Sequence, residues 1–211
     1  MTNILVRAIL IIGLASATSP ALAQSNVVPL PDANPPLSKA KPKVDAAKPF
    51  EFAKDLDGLF AQLAKTRDGK LAERISTRIW EIWQTSDSKS IDLLTNWARS
   101  ASNTRRFNVA LDLLDQVIAL RPDYAEGFNQ RATLHFMMEN YGKSIVDIER
   151  TLALEPRHYG ALAGLATIFE HLGEKDRALE TWYRVLSVYP AMKSAQDSVV
   201  RLEEELSDSR I

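Results

Sequence analysis

The sequence predicts an all-α fold: a solenoid of stacked helix–turn–helix repeats closed by a C-terminal capping helix. Proline placement is the first observation. Seven of the ten prolines fall from Pro20 to Pro49, while the other three, Pro122, Pro156 and Pro190, stand 34 residues apart. The second observation is that other residue types recur in register with those three. Twelve residues before each proline stand Ala110, Ser144 and Ala178, and eight before stand Leu114, Ile148 and Trp182. Four before come Ile118, Leu152 and Leu186, and twenty-four before come Ala98, Ala132 and Ala166. Small and large apolar residues thus alternate at the spacing of helical turns. The third observation is composition: 45% hydrophobic and 25% charged residues in 211 suit a soluble domain with a proper core.

The same composition removes whole classes of function. A formal net charge of −1 leaves no basic surplus to neutralise a nucleic-acid backbone. With no cysteine in the chain, disulfides, iron–sulfur clusters, thiolate zinc sites and cysteine nucleophiles are excluded together.

In chain order, residues 1–23 have the parts of a secretory leader: Arg7, an apolar core from Ala8 to Ala17, and Ala21-Leu22-Ala23 as an A-x-A cleavage site. The apolar core is well short of the roughly 20 residues of a spanning helix. Cleavage after Ala23 and release to a periplasm or beyond are expected, with no transmembrane segment left. Residues 24–48 are rich in Pro, Ala, Lys and Asp without an aromatic, which reads as a disordered linker.

Three repeats follow, at residues 91–124, 125–158 and 159–192. Ala98, Ala132 and Ala166 are placed where a first helix crosses its neighbour, and Ala110 and Ala178 act likewise on second helices. Leu114, Ile148 and Trp182 fill the space beside them. Each proline stops a second helix and extends the residue before it. Gly142 and Gly173 are expected in or beside the turns between helices. Residues 49–90 read as a degenerate first repeat. Leu63-Ala64 falls in the slots of Leu165-Ala166, Trp80 in the large-apolar slot, and Ser88 where a proline would stand. Residues 193–211 are a capping helix and tail, with Ala195, Val199, Leu202 and Leu206 at helical spacing.

The pattern resembles the tetratricopeptide repeat, a 34-residue helix–turn–helix unit with two small close-packing positions and a proline after the second helix. Leu165-Ala166, Gly173, Ala178, Trp182 and Pro190 match it. So do Phe128, Ala132, Tyr141 and Pro156, and Leu94, Ala98, Phe107, Ala110 and Pro122. The resemblance implies a right-handed superhelix whose first helices line a concave groove for a protein or peptide partner. The lining positions carry over as Asp92, Thr95, Arg99 and Ser102, then Glu126, Asn129, Thr133 and Phe136, then Ala163, Thr167 and Glu170. The family's clamp for the carboxyl terminus of chaperone tails uses lysines and asparagines on these faces. Only Asn129 matches it, and Thr133 and Ala163 depart.

Searches for chemistry return structural readings. His135 and Glu139, and His171 and Glu174, are spaced to pair on helix faces, but neither set completes a zinc site. Asp55-Leu56-Asp57-Gly58 lacks the remaining ligands of a calcium loop. Trp80, Trp83, Trp97 and Trp182 sit where the repeat expects core. No nucleophile elbow or phosphate-cradling loop is present. The expectation is a non-enzymatic exported adaptor without cofactor or metal, serving cell-envelope maintenance or assembly. An accessory subunit of a periplasmic enzyme system, for cytochrome maturation or cell-wall synthesis, and a peptidoglycan-binding module are the alternatives. The oligomeric state stays open.

Overall fold

A computed structural model describes residues 55–208. The expected leader (1–23), the linker (24–48), residues 49–54 of the expected first repeat and the last three residues lie outside the described part. Helices account for all the regular structure among the described residues: α1 (Leu56–Lys65), α2 (Gly69–Trp83), α3 (Lys89–Asn103), α4 (Phe107–Leu120), α5 (Ala125–Met137), α6 (Tyr141–Leu154), α7 (Tyr159–His171), α8 (Lys175–Val188) and α9 (Lys193–Asp208). None of these helices is long and apolar enough to cross a membrane.

From α3 to α8 the chain is a stack of three hairpins. Its geometry follows from the small residues. Ala98, Ala132 and Ala166 on the first helices are at most 2% exposed, as are Ala110, Ser144 and Ala178 on the second. At such burial a bulky side chain would push the crossing helices apart. Ser144 keeps the required size and disposes of its hydroxyl by donating to the Ala132 carbonyl at 2.8 Å. Leu114, Ile148 and Trp182 are buried beside them, and the Trp182 indole N–H donates to Glu170 at 2.6 Å.

Each hairpin turns in the same way. Arg105, Glu139 and Gly173 occupy left-handed backbone with φ of 56°, 58° and 75°. Around them the amides of Arg106, Asn140 and Glu174 each close on the carbonyl of Ala101, His135 and Phe169 at 2.8 Å. This is the Schellman ending of a helix, which favours glycine at the left-handed position. Only the third turn supplies one. Gly142 lies beside the second turn, as the second residue of α6. At the other end of each repeat the amides of Arg121, Glu155 and Tyr189 close the second helix at 2.8 Å, and the periodic prolines follow.

The last helix, α9, lies on α8 as the first helix of a further repeat would, burying Ala195, Val199 and Leu202. Its other face carries exposed charge, including Lys193, Arg201, Glu203 and Glu204.

The hairpin α1–α2 takes a different place. As a first repeat it would stack on α3. Instead its apolar residues Leu59, Phe60, Leu63, Ile75, Ile79 and Trp83 join the core formed by α7, α8 and α9. The residue aligned with the crossing alanines, Ala64, is exposed. Asp55 is the N-cap of α1, its carboxylate accepting from the Gly58 amide at 2.7 Å, which accounts for the acidic cluster there.

Two outcomes test this architecture. Ala166→Trp forces a crossing apart and is expected to destabilise the fold by about 3 kcal/mol in urea unfolding. Glu139→Gly relieves a left-handed turn and is expected to stabilise by about 0.5–1 kcal/mol, whereas Gly173→Ala destabilises by about 1 kcal/mol, both read from the same titration.

Candidate functional site

First helices α3, α5 and α7 stand side by side, and rings of α2 lie against the start of α7. The seat is aromatic. The Trp83 indole stacks on the His158 imidazole at 4.0 Å with 9° between planes. Trp80 stands edge-on to Trp83, His158 and Tyr159, at 5.3, 5.4 and 6.0 Å. The hydroxyls of Ser76 and Tyr159 lie 2.8 Å apart. Burial drives the Tyr159 phenol upward in pKa, so it stays neutral at any ordinary pH. Gly160 makes room for the indole: a Cβ there would lie 2.7 Å from a ring carbon of Trp80. Outside the aromatic seat, Arg157 pairs with Asp57 at 2.8 Å and lies 4.3 Å over the Phe60 ring.

Beneath Trp83 a polar pair is sealed from solvent. His158 is 0% exposed and Glu126 4% exposed. The His158 Nδ1 accepts from the Ala161 amide at 3.0 Å and so caps α7. Its Nε2 therefore carries the proton and points at Glu126 Oε2, 3.4 Å away. Glu126 also accepts from the carboxamides of Asn129 at 2.9 Å and Gln130 at 3.0 Å. With each polar atom partnered, a carboxylate is held inside the groove wall at tolerable desolvation cost.

What α2 leaves open is a cleft of about 270 Å³ between α2, α3 and α5. Arg99, Ser102, Glu126, Asn129 and Thr133 of the sequence-derived set line it, with Trp80, Gln84 and Gln130. A smaller cavity of about 140 Å³ between α5 and α7 gathers Asn129, Thr133, Phe136 and Thr167 over Gly160 and Gly164. The other four residues of the set are engaged elsewhere. Asp92 accepts from the amide and hydroxyl of Ser86 at 2.8 and 2.7 Å, and these bonds hold its carboxyl below the usual range. Thr95 is 1% exposed and donates to the Ile91 carbonyl at 2.7 Å. Ala163 packs against the main core. Glu170 is taken by Trp182 and by Arg201 of α9.

Sequence reasoning missed Trp80, Gln84, Gln130 and Met137 as cleft residues. Gln130 and Met137 were legible, since each lies three or four residues from an assigned groove position; Trp80 and Gln84 were not, because they come from a helix displaced from its aligned place. The histidines also differ from expectation. His135 lies 4.0 Å from Asp147, not against Glu139, and burial lowers its pKa. His171 stacks on Tyr141 at 5.6 Å. Trp97, expected in the core, is 54% exposed. Among the described residues no three metal-ligating side chains converge.

Comparison with known proteins agrees with the helical-repeat fold. A family model described as tetratricopeptide repeat matches residues 129–190. A TPR repeat-containing protein of Rhizobium etli is 48% identical over 155 residues, covering 74% of this chain and 76% of that protein. The first TPR of Spaghetti (RPAP3), solved bound to an HSP90 peptide, superposes with a TM-score of 0.54 at 17% identity, over 57% of this chain and 96% of that one. The crystal structure of MamA gives a TM-score of 0.52 at 21% identity, over 66% and 80% of the two chains. At such identities the two solved structures speak for the fold alone.

The two exposures of tryptophan make a paired test of the groove packing. Trp83→Ala removes a buried ring from the aromatic seat and is expected to cost about 3–4 kcal/mol in thermal or urea unfolding. Trp97→Ala is expected to stay within about 0.5 kcal/mol of the parent under dilute conditions.

Proposed function

The chain belongs to the tetratricopeptide-repeat family, and from that premise we propose that it is a non-enzymatic protein-binding module whose ligand seat is the cleft between α2, α3 and α5. The observation that carries the reading is the partial filling of the groove. Along α7 the concave face is occupied by α2, whereas beside α3 and α5 it stays open and polar, with the Trp80 indole as one wall. Arg99 is half-buried in that cleft, and its nearest acceptor is Asn96 at a weak 3.5 Å. Its guanidinium is thus available to a carboxylate or a backbone carbonyl. Carboxamides of Asn129 and Gln130 and hydroxyls of Ser102 and Thr133 stand around it, a donor-and-acceptor set suited to peptide backbone. A short segment with one acidic side chain fits this chemistry and this volume. The carboxylate clamp of chaperone-binding relatives does not carry over, because Thr133 and Ala163 stand where its polar contacts would be.

The reading extends to place and role. The Arg7 start, short apolar core and Ala21-Leu22-Ala23 support export with cleavage after Ala23, and a cysteine-free chain suits a periplasm. An exported binding module on a proline-rich tether serves as an adaptor in cell-envelope maintenance or assembly. That last step rests on fold-level analogy.

The test is crosslinking in cells with a tagged chain, followed by mass spectrometry of captured proteins. The secreted form is expected to begin at Gln24 on N-terminal sequencing. Arg99→Glu is expected to lower recovery of the partner at least tenfold, on the order of a lost charge-assisted contact. Val146→Glu, an exposed substitution on α6, should leave recovery unchanged. Full recovery with Arg99→Glu would remove the cleft from the reading.

A further inference from the structure

The amino-terminal end of the stack carries a repeat-packing face with no repeat on it. Register identifies the face. Thirty-four and sixty-eight residues after Leu93 stand Gly127 and Ala161, both buried. Trp97 aligns with Arg131 and Leu165, and Leu113 with Asp147 and Thr181. In the second repeat the α5 positions meet the second helix of the repeat before, and Asp147 bonds to one of them, Arg131. A Cβ on Gly127 would lie 3.0 Å from Val117 of α4, and Arg131 bonds to Asp115 of α4 at 2.7 Å. Asp147, Thr181 and Leu165 are 3%, 4% and 7% exposed. Leu93 and Trp97, by contrast, are 47% and 54% exposed. The end of a solenoid requires a polar surface unless something covers it. Here tryptophan stands in the place of Arg131, and leucine in the place of Asp147 and Thr181.

Two occupants are excluded on the structure itself. The chain's own α1–α2 hairpin is committed to the groove through Trp83 and Tyr159, and its exit into α3 is pinned by Ser86 on Asp92. The carboxyl-terminal end of another copy is closed by α9 and faces out with charge. A second amino-terminal end is the occupant this face fits. A two-fold axis brings each residue near its own copy, so a self-pairing face must not carry like charges. The exposed or half-exposed positions one turn away from Trp97 (Leu93, Leu94 and Ser100) and from Leu113 (Val109 and Gln116) are all uncharged.

We propose that the chain forms a homodimer in which two solenoids meet end to end, isologously, through Leu93, Trp97 and Leu113. The face is two helices wide and about four turns long, roughly 20 Å on each side and on the order of 500 Å² per copy. That is the lower end of specific interfaces, so the dimer is reversible and dissociates in the micromolar range. The arrangement leaves the cleft between α2 and α5 free in both copies.

Sedimentation of the chain beginning at Gln24 tests it, with a thiol crosslink to locate the contact. The mass should rise from one chain to two with concentration. Trp97→Glu, at an exposed position, should weaken association at least tenfold while helical circular dichroism is unchanged. Since the chain has no cysteine, Ser100→Cys and Val200→Cys each supply a single thiol, at the proposed contact and on α9. A short bis-maleimide should dimerise the first and not the second. A single-chain mass up to about 0.2 mM overturns the proposal, including the case in which this end takes a different protein. A dimer that persists in Trp97→Glu, or equal crosslinking at both thiols, overturns it as well.

Discussion

At each crossing of the stack the space between facing helices admits a side chain of alanine size and nothing larger. The rest of the structure depends on that constraint. It sets the distance between helices, and the distance decides which large residues fit beside the crossing, so that Leu114, Ile148 and Trp182 alternate with Ala110, Ser144 and Ala178. Serine is admitted once because the Ala132 carbonyl is in reach of its hydroxyl. The constraint recurs at a fixed interval since each hairpin ends in the same left-handed turn. That turn is kept even where arginine or glutamate must adopt it. Arginine and glutamate hold this conformation where glycine would hold it unstrained, so the helix packing outweighs a local preference of about 1–2 kcal/mol.

Within this frame the α1–α2 hairpin gives the groove its character. Aromatic rings from α2 lie over His158 and Tyr159, and the glycine at 160 lets Trp80 approach the backbone of α7. The closed half of the groove then becomes core, with the His158–Glu126 pair beneath it fully partnered. The open half acquires a wall that no first helix supplies. Arg99, Asn129 and Gln130 line that open half, while α9 covers the far end and the near end presents Trp97.

Much of the stack was legible in the chain. The alanines at 98, 132 and 166, the periodic prolines and the capping role of α9 follow from spacing, because a helix places residues three and four apart on one face whatever lies opposite. The candidate groove was legible to the same depth. Arg99, Ser102, Glu126, Asn129 and Thr133 share the cleft, as their helical faces imply. Thr95, Asp92 and Glu170 share those faces too, but the periodicity says nothing of the carbonyl, hydroxyl or indole that occupies them.

Position on a helical face and the spacing of small residues and prolines are local properties, and for this protein the amino-acid sequence determined them alone. Where the first hairpin goes is not local. Leu63-Ala64 and Trp80 match the repeat, yet Ala64 is exposed and Trp80 rests on Tyr159, seventy-nine residues along the chain. The choice between stacking on α3 and lying in the groove compares two whole surfaces. In the structure the apolar residues of the hairpin share their core with α7 and α8. Only the tertiary structure makes that comparison, and it decides at once which part of the groove is open and which end of the stack is bare.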